Sequence, residues 1–452
     1  MVHRRRSALC VAAVGAVAAA ILVVLSPAEA TEGEWSPLQE AGGSTLTVAL
    51  DSQSTALVSV GGTDEATIYD QRRNADGTLG PRTEVTTVED AEYCRPVEAL
   101  TALGNVAVAV ECQATTGLED PPTRLVELVW TGDDGWVWQV LPEGELGSLD
   151  YSPQGQYVVF TSNSQYGRPH HVTSYHADLG WGYLTRPERG TTGDDLVAAI
   201  SDAGNVVVLR GAGFEDEPGY WFGGRLSIET YHSTTRRWTQ RLTRDYPDGG
   251  IDPSSIDLAA GRVFASLVQS RSTGKLNGLA NRVVLLSGRP DEPRSWSSGW
   301  DRQVLTSSAS ITRSGVGVAA WQAVEDRRSA TPCFATWARG RKQPSVHVEP
   351  GRTTLTDAAE SGLAMDLSVS ADGHGALAYT RHRHGVDHST VAAAVFRVGR
   401  DGTLRRRVDA TWQQPVEATV DVTASASSTS ITLGSMLGPF FPSPLTYYGV
   451  HP

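Results

Sequence analysis

The chain has 452 residues, of which 51 are acidic and 38 basic, so its formal net charge is −13 at pH 7. Nucleic acid and anionic lipid repel such an acidic protein, so neither is expected as a partner. The length suggests two or three domains, unless the chain forms a closed all-β ring, which can be larger as one unit.

Residues 1–30 have the pattern of a signal peptide. Three arginines at positions 4–6 precede an apolar run at residues 8–25, which is followed by the small-residue site Ala28-Glu29-Ala30. Cleavage would leave residues 31–452 as one secreted or cell-envelope domain outside the cytoplasmic membrane, with no membrane contact. The apolar run is nearly long enough for a membrane helix, so an uncleaved anchor is the alternative.

Pairs of short apolar strands joined by small-residue turns recur along the rest of the chain. Strands alternate their faces with a period of two, and proline presets the second position of a turn such as Ser152-Pro153-Gln154-Gly155. The eight pairs recur at intervals of 49 to 59 residues. They begin near Thr45, Val97, Gly147, Leu196, Ser255, Ser310, Met365 and Thr419. Near-equal spacing of this kind indicates a repeat architecture.

Each pair is followed by a third and a fourth strand, often joined by an Asp-Gly turn such as Asp134-Gly135 or Asp401-Gly402. Four antiparallel strands per repeat predict the blades of a β-propeller, an all-β fold. After Thr419 there is room for only three strands, whereas the segment GEWSPLQEA at residues 33–41 has no partner. The two termini are therefore expected to close one blade, giving eight four-stranded blades. Seven blades is the alternative.

Residues 148–162, with the sequence SLDYSPQGQYVVFTS, resemble the Ser-Pro-Asp-Gly repeat of TolB-like propellers. The segment RLTRDYPDGG at residues 241–250 fits that family's habit of ending a blade with Leu-Thr. Gln154 replaces the usual aspartate, which Asp372 keeps in its own turn. The resemblance implies an exported docking platform without a catalytic domain.

Two of the four cysteines are expected to form a disulfide. In a hairpin, residues that face each other have a constant sum of residue numbers. Cys94 and Cys112 flank the second hairpin, and their sum is within one of the value that its turn predicts. An exported protein meets oxidising conditions in which such a bond forms, although two buried thiols are the alternative. Cys333 then has no partner and is expected to be buried in a third strand.

The connections from second to third strands look long, and they emerge on the same rim as the blade-to-blade connections. Binding residues concentrate on loops held by a rigid scaffold. The segment at residues 213–223 combines carboxylates and aromatic rings, which suits a cation, a sugar or a basic peptide. Its candidate ligand-binding residues are Glu215, Asp216, Glu217, Tyr220 and Trp221. The alternative is that the aromatic rings pin this loop to its own blade.

A histidine cluster is a candidate site for a divalent metal, and the sequence indicates no other cofactor. His382 and His384 would share one strand face, His388 follows closely, and His374 lies in the adjacent turn. Imidazoles spaced in this way can ligate zinc or a similar ion. A solvated loop is the alternative reading of the same residues.

No enzyme motif was found: the chain lacks a Gly-x-Ser-x-Gly elbow, a His-Glu-x-x-His motif and a phosphate-binding loop. The favoured hypothesis is a monomeric, noncatalytic propeller that binds a protein, a peptide or a cell-envelope glycan through the long loops on one rim. The alternative is a propeller hydrolase or lyase with a carboxylate or metal site at the central tunnel.

Overall fold

The structure is a computed structural model. It describes residues 35–36, 39–41, 43–50, 53–62, 65–74, 78–114, 123–132, 135–141, 144–163, 171–184, 195–217, 220–247, 249–272, 279–300, 303–324, 329–348, 353–354, 365–382, 388–415, 418–425, 428–435 and 446–451. In these segments the regular structure consists of β-strands. None of the described segments forms a helix long and apolar enough to cross a membrane.

The described segments of the first half of the chain contain 17 strands. They are β1 (Gln39–Ala41), β2 (Ser44–Leu50), β3 (Gln53–Gly61), β4 (Glu65–Arg73), β5 (Leu79–Glu89), β6 (Ala91–Ala102), β7 (Asn105–Ala114), β8 (Thr123–Trp130), β9 (Trp136–Leu141), β10 (Glu145–Tyr151), β11 (Tyr157–Asn163), β12 (His171–His176), β13 (Gly180–Tyr183), β14 (Asp195–Ile200), β15 (Val206–Glu217), β16 (Tyr220–His232) and β17 (Arg237–Tyr246).

The second half contributes 16 more. They are β18 (Gly250–Ala259), β19 (Arg262–Ser272), β20 (Leu279–Arg289), β21 (Glu292–Ser297), β22 (Gln303–Ile311), β23 (Gly317–Val324), β24 (Ser329–Trp337), β25 (Ser345–Val348), β26 (Thr353–Thr354), β27 (Met365–Val369), β28 (His374–His382), β29 (His388–Val398), β30 (Leu404–Pro415), β31 (Ala418–Ala424), β32 (Thr429–Ser435) and β33 (Thr446–His451).

These strands form eight antiparallel sheets, which are the blades of a β-propeller. Blades 1 to 5 are β2-β3-β4-β5, β6-β7-β8-β9, β10-β11-β12-β13, β14-β15-β16-β17 and β18-β19-β20-β21. Blade 6 is β22-β23-β24-β25 with the short β26 added to β24, and blade 7 is β27-β28-β29-β30. The first strand of each blade lies innermost, because these strands contact one another in sequence around the ring.

Blade 8 joins the two ends of the chain. Its order is β31-β32-β33-β1, and β1 pairs with β33 through Gln39 and Tyr448. Just before β1, Trp35 is buried and packs edge-on against Trp412 of blade 7, with ring centroids 5.4 Å apart. The innermost strand β31 also contacts β2, so the ring closes. The prediction of eight blades closed by the termini is confirmed, and the alternative of seven is wrong.

The core lies between the faces of neighbouring blades. Inner strands are rich in valine, alanine and leucine, and β8 is buried over almost its whole length, whereas β25 on the outer edge is exposed throughout. β-Branched and small apolar residues suit a pleated surface that is covered on both sides. Burial is therefore high within the blades, as in the third strand β8, and lowest on an outer edge strand such as β25.

The first hairpin turn of several blades uses a hydroxyl group to bind its own backbone. In blade 3 the Ser152 Oγ accepts hydrogen bonds from the amides of Gln156 and Tyr157. Gly155 has a φ of 67°, a conformation that glycine adopts without steric cost. The hydroxyls of Ser201, Thr312 and Ser425 accept corresponding amide bonds in blades 4, 6 and 8. A serine or threonine is therefore the repeat's turn residue.

The disulfide between Cys94 and Cys112 is present, and the two residues are direct partners in the β6–β7 register. The prediction from their sequence positions is therefore confirmed. Cys333 is a buried thiol in β24, the third strand of blade 6, as expected. A disulfide is typical of proteins that reside in oxidising compartments.

Candidate functional site

Five carboxyl groups converge in the central tunnel. They belong to Glu98, Asp150, Asp257, Asp366 and Asp421, which lie on the innermost strands of blades 2, 3, 5, 7 and 8. Glu98 interacts electrostatically with Asp366 and Asp421, and Asp150 with Asp257. Each of these three pairs connects blades that are not direct neighbours. The five groups therefore face one another across the tunnel.

Three of the aspartates hold the edge of the following blade. Asp150 Oδ2 accepts a hydrogen bond from the Ile200 amide at 2.9 Å, and Asp257 Oδ2 accepts one from Ile311 at 2.7 Å. Asp366 likewise accepts a hydrogen bond from the innermost strand of the next blade. An innermost strand is the edge of its sheet, so some of its amides have no ladder partner. The carboxylates satisfy amides that would otherwise be buried and unpaired.

The third of these bonds joins Asp366 Oδ2 to the Val422 amide at 2.7 Å. Serine hydroxyls do the same one step along the strands: Ser148 Oγ accepts from Ala198 at 2.8 Å and Ser368 Oγ from Ala424 at 3.0 Å. Glu98 accepts a backbone bond from Leu149 of blade 3. Polar side chains at alternate positions thus connect each of these blades to the next.

Asp421 differs from the other four carboxyls. Within the described segments no group donates a hydrogen bond to its carboxylate, and its strongest charged neighbour is Asp366. Burial raises the pKa of Asp421, and the adjacent Asp366 carboxylate raises it further. Burial also raises the pKa of Asp366, although bonds from the amides of Val422 and Leu367 oppose this. One carboxyl of this pair therefore retains its proton more readily than a solvated aspartate.

Burial raises the pKa values of the other three carboxyls as well. Burial raises the pKa of Glu98 to about 8, with smaller contributions from Asp366 and Asp421. Burial likewise raises the pKa values of Asp150 and Asp257. Like charges in a confined, poorly hydrated space disfavour one another. The tunnel therefore concentrates potential negative charge, which a cation would neutralise.

An arginine spans one mouth of the tunnel. Arg313 lies in the first turn of blade 6, and its Nη2 donates a hydrogen bond to the carbonyl of Pro153 in the first turn of blade 3, at 3.0 Å. Blades 3 and 6 are separated by two others, so this bond crosses the mouth on the rim of the tight first-to-second turns. Arg313 therefore lies across the tunnel on this rim.

The blades do not all require polar groups at these positions. When the repeats are aligned at their turn residues Ser152 and Ser201, the positions of Ser148 and Asp150 in blade 3 correspond to Val197 and Ala199 in blade 4. Val197 and Ala199 are buried in an apolar cluster with residues of blade 5. An apolar pair at these positions therefore also forms a blade interface, so the fold does not demand a carboxyl in every blade.

The proposed rim loop at residues 213–223 is a strand hairpin, which corrects the loop assignment. β15 extends to Glu217 and β16 begins at Tyr220, with Glu215 paired to Trp221 and Glu217 to Tyr220. Two irregularities in register accompany this pairing and leave Asp216 without a direct partner in the ladder. Glycine and acidic residues suggested a loop, but cross-strand pairing prevails here. Ligand binding by Glu215, Asp216, Glu217, Tyr220 and Trp221 stays a prediction.

The histidine cluster is spread out differently from the sequence expectation. His382 ends β28 and His388 begins β29, whereas His384 lies outside the described residues. His374 begins β28 at the other end of that strand, about 26 Å from His382 at the usual rise per residue. His374 is buried, and its Nε2 lies 3.1 Å from Thr429 Oγ1. His374 therefore cannot join the other histidines, and a metal site at His382, His384 and His388 stays a prediction.

In the described segments no three His, Cys, Asp or Glu residues could hold one metal ion together. This includes the tunnel carboxyls. As a set they can attract a cation such as an ammonium or guanidinium group.

Sequence analysis did not single out the five tunnel residues. A signal was present: in blades 3, 7 and 8 the residues two and four positions before the turn serine are polar. In blade 7 these are Ser368 and Asp366, and in blade 8 they are Thr423 and Asp421. Polar residues at alternate positions of an otherwise apolar innermost strand therefore indicate side chains that bind the innermost strand of the next blade.

Comparisons with known proteins identify no family. No protein-family model matches the chain, and no curated protein matches it. The TolB-like resemblance therefore stays a prediction beyond its propeller fold. Similar solved structures include an ulvan lyase, described as a new family of polysaccharide lyase, at 9% identity and a TM-score of 0.44, covering 77% of this chain and 90% of that one.

Two further solved structures are similar at the same low level. Prolyl oligopeptidase B from Galerina marginata has 10% identity and a TM-score of 0.45, covering 88% of this chain and 55% of that chain. A Hadza microbial sialidase has 12% identity and a TM-score of 0.38, covering 88% of this chain and 73% of that chain. Likenesses this distant carry no argument about what the present chain binds or does.

Proposed function

We propose that this protein is an exported, noncatalytic propeller that binds a basic segment of a protein or peptide at the mouth of its tunnel. The observation that carries the proposal is the convergence of five carboxyl groups, one of which, Asp421, holds no blade edge. A lysine or arginine side chain entering from the rim opposite Arg313 would neutralise them. The overall acidic charge would attract such a partner from a distance.

Export is part of the proposal. It is supported by the signal-peptide pattern at residues 1–30 and by the Cys94–Cys112 disulfide. Disulfides persist outside the cytoplasm and are rare within it. The long second-to-third connections would frame the partner's approach, as the sequence suggested, and an amine-bearing envelope glycan offers the same cationic chemistry.

The test uses residues 31–452 and an oligolysine peptide in calorimetric titrations. We expect binding that weakens as ionic strength rises, because the attraction is electrostatic. Affinity should increase from pH 6 to pH 8, because the carboxyls with raised pKa values must lose protons to pair with the cation. The number of protons released should differ from zero when the titration is repeated in buffers of different ionisation enthalpy.

Variants locate the binding. Asp421→Asn and Glu98→Gln should each reduce the affinity by about tenfold, since each removes a charged partner. Glu92→Gln removes an exposed carboxylate outside the tunnel and serves as the matched control. Equal effects of the three variants, or no binding of the peptide, would rule out the tunnel as the site.

One observation favours a hydrolase or lyase as the second candidate. Glu98 has a pKa raised to about 8 and interacts with Asp366 and Asp421. A carboxyl that keeps its proton beside another that loses it can act as general acid and base. Incubation with envelope polysaccharides should then release new reducing or unsaturated ends, and Glu98→Gln should abolish them. Elemental analysis of the purified protein would test a metal-dependent version.

A further inference from the structure

Three arginine side chains meet on the rim of the tight turns, at the seam between blades 5 and 6. Arg262 begins β19 directly after the first turn of blade 5, and Arg294 lies on β21, the outer strand of the same blade. Arg339 lies in the turn between β24 and β25 of blade 6. The Arg262 guanidinium interacts electrostatically with both of the others, so the three form one group, which we call the arginine cluster.

The strand register directs two of these side chains toward blade 6. Ser287 is the direct partner of Phe264 in β19 and of Arg294 in β21, and directly paired residues share one face of a sheet. Phe264 packs edge-on against Trp337 of blade 6, so this is the face that meets blade 6. Arg262 lies two residues before Phe264 in the same strand and therefore on the same face. Both arginines thus extend toward blade 6.

Hydrogen bonds to neutral groups hold the cluster in position. Arg262 Nη2 donates to Ser287 Oγ at 3.1 Å, and Arg294 Nη1 donates to the Arg341 carbonyl of blade 6 at 3.1 Å. The same carbonyl accepts a hydrogen bond from Trp337 Nε1 at 3.0 Å. A guanidinium group has five N–H donors, so the exposed Arg294 keeps donors for a ligand. A site whose side chains are already positioned loses little entropy on binding.

No carboxylate in the described segments balances the charge of the arginine cluster. Its members form no ion pair with an aspartate or glutamate there, whereas Arg95 and Arg225 elsewhere in the chain do. Burial lowers the pKa of the Arg262 guanidinium, and the positive charges of Arg339 and Arg294 lower it further. Like charges at close range disfavour one another, and an anion would neutralise them. The cluster is therefore a positive site on a protein of net charge −13.

We propose that the arginine cluster binds a phosphate or sulfate group, independently of the cation site proposed in the tunnel. Guanidinium groups donate paired N–H bonds to such oxyanions, and the oxygens of a tetrahedral anion can accept from more than one arginine. A carboxylate has only two oxygens and one charge, which suits three guanidiniums less well. The exposed Arg294 and Arg339 would contact the anion, and the half-buried Arg262 would contribute its charge from beneath them.

The anion can arrive as a free ion or as an ester on a cell-envelope polymer, and the experiment separates these sources. Residues 31–452 are titrated in a calorimeter, at constant ionic strength, with sodium sulfate, sodium phosphate, and the sulfate and phosphate monoesters of glucose. We expect sulfate or phosphate to bind, and acetate to bind much more weakly. Tighter binding of an ester than of its free ion indicates a polymer, and equal or weaker binding indicates the free ion. The proposal is wrong if none of the four binds or if acetate binds equally.

Variants locate the anion. Arg294→Gln and Arg339→Gln each remove one exposed charge and should each weaken the binding by about tenfold. Arg236→Gln is the matched control, because Arg236 is an exposed arginine in the third-to-fourth turn of blade 4, which corresponds to the turn of Arg339. The control should leave the affinity unchanged. Equal losses of affinity in all three variants would contradict the proposal.

A stability measurement separates loss of binding from loss of folding. Sulfate should raise the midpoint of urea denaturation relative to sodium chloride of equal ionic strength, because an anion that binds only the folded state stabilises it. Sulfate also stabilises proteins without a specific site, so the informative result is a smaller shift for Arg339→Gln than for Arg236→Gln. Equal shifts would rule out the site. Asp421→Asn should keep sulfate binding and Arg339→Gln should keep oligolysine binding, so failure of either proposal is visible separately.

Discussion

Two kinds of carboxyl group share the central tunnel. Asp257 accepts hydrogen bonds from the Ile311 amide, the Ser310 hydroxyl and the Leu258 amide, so it holds blade 5 to blade 6. Asp421 accepts none from any described group and faces Asp366 instead. The first carboxylate is part of the ring's construction, whereas the second contributes charge without a structural bond.

This difference separates stability from binding within one row of acidic residues. Strained or repulsive groups persist when the surrounding structure tolerates them, and they concentrate at functional sites. A raised pKa alone does not distinguish the two kinds, because burial raises the pKa values of both Asp257 and Asp421. The hydrogen-bond partners make the distinction, and substitutions can therefore test it.

The largest expected effect comes from removing a carboxyl that holds a blade. Asp257→Ala leaves the buried Ile311 amide and Ser310 hydroxyl unpaired, so the free energy of unfolding should fall by roughly 2–4 kcal/mol. Urea denaturation followed by tryptophan fluorescence at pH 7 measures this. Asp421→Ala is the matched variant and should change stability by less than about 1 kcal/mol. Equal losses would contradict the division into two kinds.

A buried glutamate outside the tunnel, Glu127, provides the next test. Its carboxyl group accepts hydrogen bonds from neutral side chains only, among the described residues. Glu127 is fully buried between blades 2 and 3, where it accepts bonds from the Thr173 hydroxyl at 2.6 Å and the Gln139 amide at 2.5 Å. Burial raises the pKa of Glu127 to about 7, although these two bonds oppose the shift. The folded state therefore holds the Glu127 proton more tightly than the unfolded state.

The sign of the pH effect follows from this. Stability contributed by Glu127 is full below its unfolded pKa of about 4.5 and is lost as pH rises through about 7, by at most about 3 kcal/mol. Glu127→Gln should flatten the decline in the free energy of unfolding between pH 5 and pH 8. A variant whose pH profile equals that of the parent protein would show that Glu127 does not carry this proton.

A smaller loss is expected for a neutral acceptor at the same blade edges. Ser368 Oγ accepts the Ala424 amide at 3.0 Å and is buried. Ser368→Ala should lower the free energy of unfolding by about 1 kcal/mol, because a hydroxyl acceptor is weaker than a carboxylate. Ser297→Ala on the exposed strand β21 is the control and should have no measurable effect. Denaturant titrations of both variants test whether the loss in the free energy of unfolding decreases from the buried carboxylate to the buried hydroxyl to the exposed hydroxyl.

Sequence reasoning succeeded where local pattern determines structure. The hairpin turns, the alternation of the inner strands and the pairing of β1 with β33 all follow from short-range chemistry and from the need to close an open edge. The disulfide followed from hairpin symmetry alone, since Cys94 and Cys112 are direct partners.

The candidate sites depend on geometry that no short segment contains. Glu98 meets Asp366 and Asp421 because blades 2, 7 and 8 approach one another across the tunnel, although they are far apart in sequence. The hairpin around Glu215 and Trp221 was assigned to a loop because pairing overrides the local preference of glycine and acidic residues.

The smallest effect concerns the arginine at the tunnel mouth and tests whether charge there is structural or electrostatic. The Arg313 side chain is exposed and its bond to the Pro153 carbonyl crosses the mouth, so Arg313→Ala should change stability by no more than about 0.5–1 kcal/mol. Removing a positive charge near the carboxyls should strengthen oligolysine binding by a few fold at low salt. Arg400→Ala, which removes an exposed arginine from a third-to-fourth turn on the same rim, should have a weaker effect because no contact places it across the tunnel. If the two variants strengthen binding equally, the charge of the rim as a whole, and not the position of Arg313, governs access to Asp421.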